Sequence, residues 1–322
     1  MKPKILVTRK ISDIAEIHLK EKFDVTLNLK DEAIPYENLA KICNEYDGVI
    51  AASWDKFDTN FFNAMNGKLK IIASIAVGYD NIDLKSAKEK NIIITNAPNV
   101  LNDAVAETTL LLMLGAARRA YEGLTLVKSG KWKDAKVDFT NFMVGKPLTG
   151  KTLGIIGMGR IGKIVSERAK GFGMKIIYFN RKKVSSDLEA GAKYYNSVNG
   201  MMPYCDFISI HCPATPETKH ILNKEAISLL PNHAIVINTS RGITLDDDAL
   251  IEALKNNKIY AAGLDVFNNE PNLDSRYLEL DNCFTLPHIS SANNETREAM
   301  SILAVRNIEA HFDSKKYPSR VA

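Results

Sequence analysis

Short apolar runs alternate with helix-like stretches in two separate series along this chain. The first series lies at 4–8, 23–28, 48–52, 71–75 and 91–95, and the second at 152–157, 175–179, 206–212, 234–240, 259–266 and 283–288. This alternation is typical of βαβ units that build a parallel sheet. The 322 residues exceed the roughly 250–300 at which one hydrophobic core stops growing. We therefore predict an α/β protein with two doubly wound parallel-sheet domains.

Composition and charge exclude several classes of protein. The net charge is only +4, and Lys and Arg are scattered among Asp and Glu, which argues against a nucleic-acid partner. The apolar run at 5–7 is too short for a signal peptide, and the run at 110–117 falls below the ~20 residues that a membrane span needs. We expect a cytoplasmic protein with no membrane contact.

The cysteines and histidines give no support for a metal site. Cys43, Cys205, Cys212 and Cys283 are far apart, and the six histidines form no zinc-binding helix motif. We therefore predict reduced thiols and no bound metal.

The strand at 152–157 leads into a glycine-rich turn of the G-x-G-x-x-G type, followed by a helix-like stretch. Its glycines permit a tight turn and close approach of a pyrophosphate, and the helix N-terminus favours negative charge. The motif alone is weak because glycine turns are also purely structural, but here both flanking strands are in place. The candidate cofactor-binding residues of the turn are Gly157, Met158, Gly159, Arg160, Ile161 and Gly162.

The next strand ends in an amide followed by three cations, Asn180 and then Arg181, Lys182 and Lys183. A site for NAD usually has an acid at the first of these positions, which binds the adenosine ribose hydroxyls. Replacing the acid by Asn removes repulsion of a 2′-phosphate, and the cations can pair with that phosphate. We predict NADP(H) as the preferred cofactor, with NAD(H) as the alternative if the cations only form a solvated loop.

Three later strands end in residues with useful chemistry: Arg241, the segment from Asp265 to Glu270, and His288. Each has an ordinary alternative as a surface cation, a loop acid or a structural histidine. In parallel α/β sheets, however, the carboxyl ends of the strands form the ligand site. Together these residues predict an anion clamp, a proton donor and an acid that orients it.

The order and spacing of many motifs resemble those of the D-2-hydroxyacid dehydrogenases, and within them the glyoxylate/hydroxypyruvate reductases. The resemblance covers nearly the whole chain. The motifs that carry it are AVGYDNID at 76–83, NAPNVLNDAVAET at 96–108, GMGRIG at 157–162, HCPATPETKHILN at 211–223, NTSRG at 238–242, GLDVFNNEP at 263–271 and LPHISSAN at 286–293.

The resemblance implies that a Rossmann dinucleotide-binding domain, residues 101–288, is inserted into a flavodoxin-like substrate-binding domain formed by residues 1–100 and 289–322. It also implies the roles of the catalytic residues. His288 would donate a proton to the substrate carbonyl with Glu270 as its partner, and Arg241 would bind the carboxylate and the carbonyl oxygen. The backbone amides of Val77 and Gly78 would hold the other side of the carboxylate.

The same resemblance implies a set of cofactor contacts. Asp265 would contact the nicotinamide carboxamide, and Arg241 and His288 would also lie against the cofactor. The remaining contacts would be Thr108, Thr239, Ser240 and Ser290 near the nicotinamide, and His211, Pro213 and Thr218 on the adenosine side.

The resulting functional hypothesis is reduction of a short 2-oxo acid by NADPH, from glyoxylate to glycolate or from hydroxypyruvate to D-glycerate. Alternatives are another acid, such as D-lactate or 3-phosphoglycerate, and a nucleotide-sensing protein of the corepressor type. By the same resemblance, the apolar helix at 101–119 and the aromatic arm at 129–149 indicate a homodimer.

Overall fold

A computed structural model describes residues 2–322, which form two compact units. The first unit combines residues 2–101 with Ala292–Ala322, and the second is Asn102–Ser291. The strands are β1 (Lys4–Val7), β2 (Asp24–Leu27), β3 (Gly48–Ala51), β4 (Ile71–Ser74), β5 (Ile93–Thr95), β6 (Thr152–Ile156), β7 (Lys175–Phe179), β8 (Lys193–Tyr195), β9 (Phe207–Ile210), β10 (Ile235–Asn238), β11 (Ala261–Leu264) and β12 (Cys283–Thr285).

Helices connect the strands in both units. They are α1 (Asp13–Lys22), α2 (Tyr36–Cys43), α3 (Thr59–Asn63), α4 (Leu84–Glu89), α5 (Asn102–Ala117), α6 (Ala120–Lys128), α7 (Arg160–Gly171), α8 (Ser186–Glu189), α9 (Val198–Met201), α10 (Lys224–Leu229), α11 (Asp247–Lys255) and α12 (Asn294–Phe312). Side chains cap several N-termini: Ser12 accepts from the amide of Ala15, and Asp83 accepts from the amides of Lys85 and Ser86.

The sheet of the first unit has the order β2-β1-β3-β4-β5, and all of its strand pairs are parallel. This is the flavodoxin-like order predicted for one domain. Helix α12 packs against α1, β3 and β4 of this unit. Residues 319–322 run antiparallel beside the edge strand β5, where the amide of Ile94 donates to the carbonyl of Ala322 at 3.0 Å.

The sheet of the second unit has the order β12-β11-β10-β9-β6-β7-β8, again with parallel pairs throughout. The order reverses beside β6, which makes this the predicted Rossmann arrangement with a switch point at the first strand. Both sheets are buried on both faces by helices, as the continuous apolar runs of the sequence indicate.

The structure differs from the sequence-based expectations in detail. Strand β8 and helix α6 were not predicted. Arg119 adopts a left-handed conformation at φ 55° and separates α5 from α6, so the apolar helix ends at Ala117. The arm at 129–149 contains only a short 3-10 turn, Lys131–Asp134.

Residues 2–322 contain neither a helix suited to a membrane nor a cluster of side chains suited to a metal ion. None of the helices in this range combines the length and the apolar character needed to cross a membrane. The same residues include no group of three or more His, Cys, Asp or Glu side chains that could hold a metal ion.

Candidate active site

The glycine turn between β6 and α7 shows a different requirement at each of its three glycines. Gly157 has φ 102°, and a Cβ there would lie 2.7 Å from the amide nitrogen of Cys212. A Cβ on Gly162 would lie 2.2 Å from the carbonyl oxygen of Gly157. A Cβ on Gly159 would meet no protein atom within 4 Å. Close contacts within the protein therefore require glycine at positions 157 and 162, whereas the open space beside Gly159 leaves room for a ligand.

Helix α7 begins at this open space. Gly159 is its N-cap and provides no side-chain hydrogen bond, and its first turn has no acidic residue. The amide groups at the start of a helix carry partial positive charge, which favours an anion such as a pyrophosphate. The turn and the helix therefore fit a dinucleotide, and Met158, Arg160 and Ile161 lie in the same segment.

Asn180 is oriented by the glycine turn. Its Oδ1 accepts a hydrogen bond from the amide of Met158 at 2.7 Å, which assigns the oxygen and nitrogen of the side chain. Among residues 2–322, the Nδ2 group has no hydrogen-bond partner. The side chain thus uses its oxygen to bind the protein and retains two N–H donors for a ligand.

The three cations after Asn180 have different surroundings. Lys183 lies 3.4 Å from Glu189, which also accepts a hydrogen bond from Tyr178. Arg181 and Lys182 are exposed. A hydrogen bond from Thr215 is the main cause of the lowered pKa of Glu217, and the charge of Arg181 contributes to it.

The predicted adenosine residues of that loop mainly bind one another. Thr218 Oγ1 donates to the carbonyl of Pro213 at 2.6 Å and accepts from the amide of Thr215 at 2.8 Å. The ring of His211 lies 2.8 Å from Ser209 Oγ, and burial lowers the pKa of His211 to about 3, so its ring is neutral. These contacts shape the loop, and contact with a cofactor stays a prediction.

The residues after β10 are held by hydrogen bonds on both sides. Thr239 donates to Thr109 on α5 at 3.0 Å, because Thr109 uses its own hydrogen toward the carbonyl of Val105. Sequence analysis selected the neighbouring Thr108, which is half-buried. Ser240 donates to the carbonyl of Cys212.

Arg241 lies beside the loop that carries Glu270. Its Nη1 donates to the carbonyl of Ser240 at 2.8 Å, and its charge is one cause of the lowered pKa of Glu270. The next residue, Gly242, has no side chain, and a Cβ there would lie 2.1 Å from the carbonyl carbon of Phe267. This glycine therefore allows the two loops to approach.

His288 and Glu270 form a hydrogen-bonded pair, with Nδ1 2.6 Å from Oε2. The other oxygen of Glu270 accepts from the amide of Phe267 at 2.7 Å. Burial raises the pKa of Glu270, but the hydrogen bonds from His288 and Phe267 and the charges of His288 and Arg241 outweigh it, so its pKa is below the usual range. Glu270 is therefore ionised near neutral pH and accepts the Nδ1 proton. Nε2 is the nitrogen left for a reactant.

Asp265 has a role in the protein that sequence analysis missed. Its fully buried carboxylate accepts hydrogen bonds from the amides of Ile289 at 2.8 Å and Ser290 at 2.9 Å, and from the hydroxyl of Ser290. Burial raises the pKa of Asp265 despite these bonds. The bonds fix the chain just after His288, which has φ 54°. The contact of Asp265 with a nicotinamide stays a prediction.

In the first unit, the loop after β4 presents two amide donors. The N–H groups of Val77 and Gly78 have no hydrogen-bond partner among residues 2–322, and both residues are half-buried. Consecutive N–H groups of this kind suit a carboxylate.

A Rossmann unit whose strand ends carry Arg, Glu and His fits a dehydrogenase. Residues 110–290 match the family model described as D-isomer specific 2-hydroxyacid dehydrogenase, NAD binding domain. The chain belongs to this family. It is an oxidoreductase with a domain for a nicotinamide cofactor.

Similar proteins match over nearly the full length. The chain is 42% identical to a glyoxylate reductase of Thermococcus litoralis, covering 100% of this chain and 97% of that protein. It is 39% identical to a glyoxylate reductase of Pyrococcus horikoshii, covering 96% and 93%. A crystal structure of an NADPH-dependent glyoxylate/hydroxypyruvate reductase from Sinorhizobium meliloti, in complex with NADP and malonate, is 32% identical, with a TM-score of 0.88 and coverage of 100% and 97%.

The glycine turn provides a paired prediction. We expect Gly159→Ala to change the free energy of unfolding by less than about 1 kcal/mol, the usual range for an N-cap exchange, and to weaken dinucleotide binding. Gly162→Ala should destabilise the protein by about 1–3 kcal/mol, as overpacking does. Urea unfolding and titration with NADPH measure both effects. Equal binding by Gly159→Ala and the unchanged chain would contradict a pyrophosphate at this turn.

Proposed function

We propose that this chain is an NADPH-dependent reductase of short 2-oxo acids, which converts glyoxylate to glycolate and hydroxypyruvate to D-glycerate. The observation that carries the proposal is the 2.6 Å hydrogen bond between His288 and Glu270 at the strand ends of a dinucleotide-binding unit, with Arg241 close by. The names of the relatives from Thermococcus and Pyrococcus support the same substrate class. We assign dinucleotide binding to residues 101–288 and substrate binding to residues 1–100 and 289–322.

The nicotinamide cofactor, when bound, supplies a hydride for the carbonyl carbon of the substrate. Negative charge then develops on the carbonyl oxygen, and a fixed cation such as Arg241 stabilises it. Protonated His288 donates its Nε2 proton to that oxygen as the general acid. Glu270 holds the ring by the hydrogen bond at Nδ1, which directs Nε2 to the substrate oxygen.

Substrate and cofactor contacts complete the proposed machinery. We assign the amides of Val77 and Gly78 to the substrate carboxylate, and Arg241 to the carboxylate and the carbonyl oxygen. The proposed cofactor residues are those of the glycine turn and the loops after β7, β9, β10, β11 and β12, together with Thr108. Asp265 accepts a hydrogen bond from the amide of Ser290, which fixes the loop after β12.

The test is steady-state reduction of a panel of 2-oxo acids, including pyruvate and 3-phosphohydroxypyruvate, by the unchanged chain and by His288→Ala. We expect glyoxylate or hydroxypyruvate to have the highest kcat/KM. The variant should lose roughly 10²–10⁴ in kcat, the typical contribution of a general acid, with unchanged NADPH affinity.

Other results of this assay would favour the alternative functions. If kcat/KM is highest for pyruvate, the reaction is that of a D-lactate dehydrogenase. If it is highest for 3-phosphohydroxypyruvate, the reaction is that of a 3-phosphoglycerate dehydrogenase. Dinucleotide binding without turnover of any 2-oxo acid would favour the sensing role. Near-normal kcat in His288→Ala would exclude this residue as the proton donor.

The preference for NADPH follows from the donors at the end of β7. Asn180 offers two N–H donors to a ligand, while its oxygen accepts from the amide of Met158. Such donors suit a phosphate, whose oxygens are acceptors, and the exposed Arg181 and Lys182 add positive charge. Two charge-assisted hydrogen bonds, discounted by half for solvent, amount to about 1.5–3 kcal/mol, or on the order of 10–10² in preference.

The double variant Asn180→Asp with Arg181→Ala should reverse this preference. An Asp can accept from Met158 with one oxygen and from a ribose hydroxyl with the other, while it repels a 2′-phosphate. Lys183→Ala is the matched control, because Lys183 pairs with Glu189 and its loss should leave the ratio of kcat/KM for NADPH and NADH nearly constant. An unchanged ratio in the double variant would mean that the cations form an ordinary solvated loop.

We also propose a homodimer built on the second unit. Large apolar side chains on α5, α6 and the arm are exposed in the single chain, and Phe139 is 99% exposed. The exposed group consists of Leu111, Leu114, Tyr121, Leu124, Val127, Trp132, Val137, Phe139 and Val144. A concentration of apolar surface of this kind marks a protein interface.

Light scattering at micromolar concentration should therefore give about twice the chain mass of 35.7 kDa. Phe139→Glu should shift the protein toward one chain, because the charge would be buried in the interface, with little effect on folding of the single chain. Leu29→Glu, an exposed apolar position of the first unit, should leave the mass unchanged. A mass near that of one chain for the unchanged protein would reject the dimer.

A further inference from the structure

The two amide donors after β4 are oriented by two neighbouring residues at the end of β5. The carbonyl of Ala76 accepts a hydrogen bond from the amide of Ala97 at 2.8 Å. The carbonyl of Val77 accepts one from the side-chain Nδ2 of Asn96, also at 2.8 Å. Both peptide groups of the loop are thus held through their oxygens.

Because the peptide group is planar, these two hydrogen bonds also fix the directions of the N–H groups of Val77 and Gly78. The carbonyl of Ala76 and the N–H of Val77 belong to one planar peptide group, as do the carbonyl of Val77 and the N–H of Gly78. In a trans peptide the N–H points opposite to the C=O. Fixing the two oxygens against Asn96 and Ala97 therefore directs both N–H groups away from β5.

Asn96 is itself held by a chain of hydrogen bonds. It is buried, and its amide donates to the carbonyl of Ser319 at 3.2 Å, while Ser319 Oγ donates to the carbonyl of Asn96 at 2.6 Å. Ser319 Oγ in turn accepts from Nδ2 of Asn307, a fully buried residue of α12. The segment beside β5 and helix α12 therefore support the side chain that holds Val77.

We propose that Asn96 is a positioning residue for the substrate carboxylate. It acts through the Val77–Gly78 peptide, whose N–H it aims at the anion, and it does not touch the substrate. This inference rests on the proposed function, in which those amides bind the carboxylate of a 2-oxo acid. A donor that is already oriented loses less freedom on binding, so the bond contributes more to affinity.

The test compares a charged substrate with its uncharged analogue. We expect Asn96→Ala to lower kcat/KM for glyoxylate by about tenfold or more, the loss of roughly one charge-assisted hydrogen bond. Most of the change should fall on KM. Reduction of glyoxylamide, which lacks the carboxylate, should decrease far less, so the glyoxylate/glyoxylamide ratio falls. NADPH affinity should not change.

Two further variants separate positioning from folding. Asn96→Asp has the same shape and retains the backbone bonds with Ser319, but it cannot donate when ionised, so it should lower the ratio at least as much. Asn44→Ala is the matched control, because Asn44 Nδ2 also donates to a backbone carbonyl at 2.8 Å, that of Ala64, before β4 rather than after it. This control should retain the ratio.

The outcomes distinguish the inference from the function on which it rests. Failure of the unchanged chain to reduce any 2-oxo acid would overturn the proposed function. Normal turnover by that chain, with an unchanged ratio in Asn96→Ala and Asn96→Asp, would overturn only the role of Asn96. An equal loss for glyoxylate and glyoxylamide would also overturn it, because that pattern indicates general structural damage.

Discussion

Parallel pairing of every strand is the constraint on which the rest of this structure depends. A parallel strand must be reached by a crossover, so helices cover both faces of each sheet and the carboxyl ends of its strands lie along one edge. In the second unit this edge collects residues that are far apart in the chain. They are the glycine turn after β6, Asn180 after β7, His211 after β9, Arg241 after β10, Asp265 after β11 and His288 after β12.

The fold could be predicted because most strands are continuous apolar runs that are buried on both faces. Strand β8 was missed because its three residues, KYY, lie at the sheet edge and are half-buried or exposed. Helix α6 was missed because the break before it is a left-handed Arg119, and nothing about an arginine indicates that conformation. Regular burial leaves a pattern in the sequence, whereas a single unusual backbone angle does not.

The candidate site shows the same division between residue identity and orientation. The sequence indicated Asn180 as a ligand contact from its type and position, and the resemblance to the dehydrogenases implied a ligand contact for Asp265. It could not indicate that Asn180 already binds Met158, or that Asp265 binds the amides of Ile289 and Ser290. Tertiary packing brings those partners together. Because every residue except proline has a backbone N–H group, the sequence does not indicate which of these groups will bind a given side chain. In both cases the contact with the protein determines what remains available to a ligand.

Under the proposed function, anion recognition and proton delivery use groups with different responses to pH. The first unit offers backbone amides aimed by Asn96 and Ala97, and none of these groups titrates near neutrality. The second unit delivers the proton from His288, whose partner Glu270 has a pKa below its usual range because the hydrogen bonds and charges around it outweigh its burial. Glu270 therefore remains ionised near neutral pH and accepts the hydrogen bond from Nδ1 of the ring. Because these donors and this proton reside on separate residues, a change in His288 or Glu270 alters turnover without altering how the amides of the first unit are aimed.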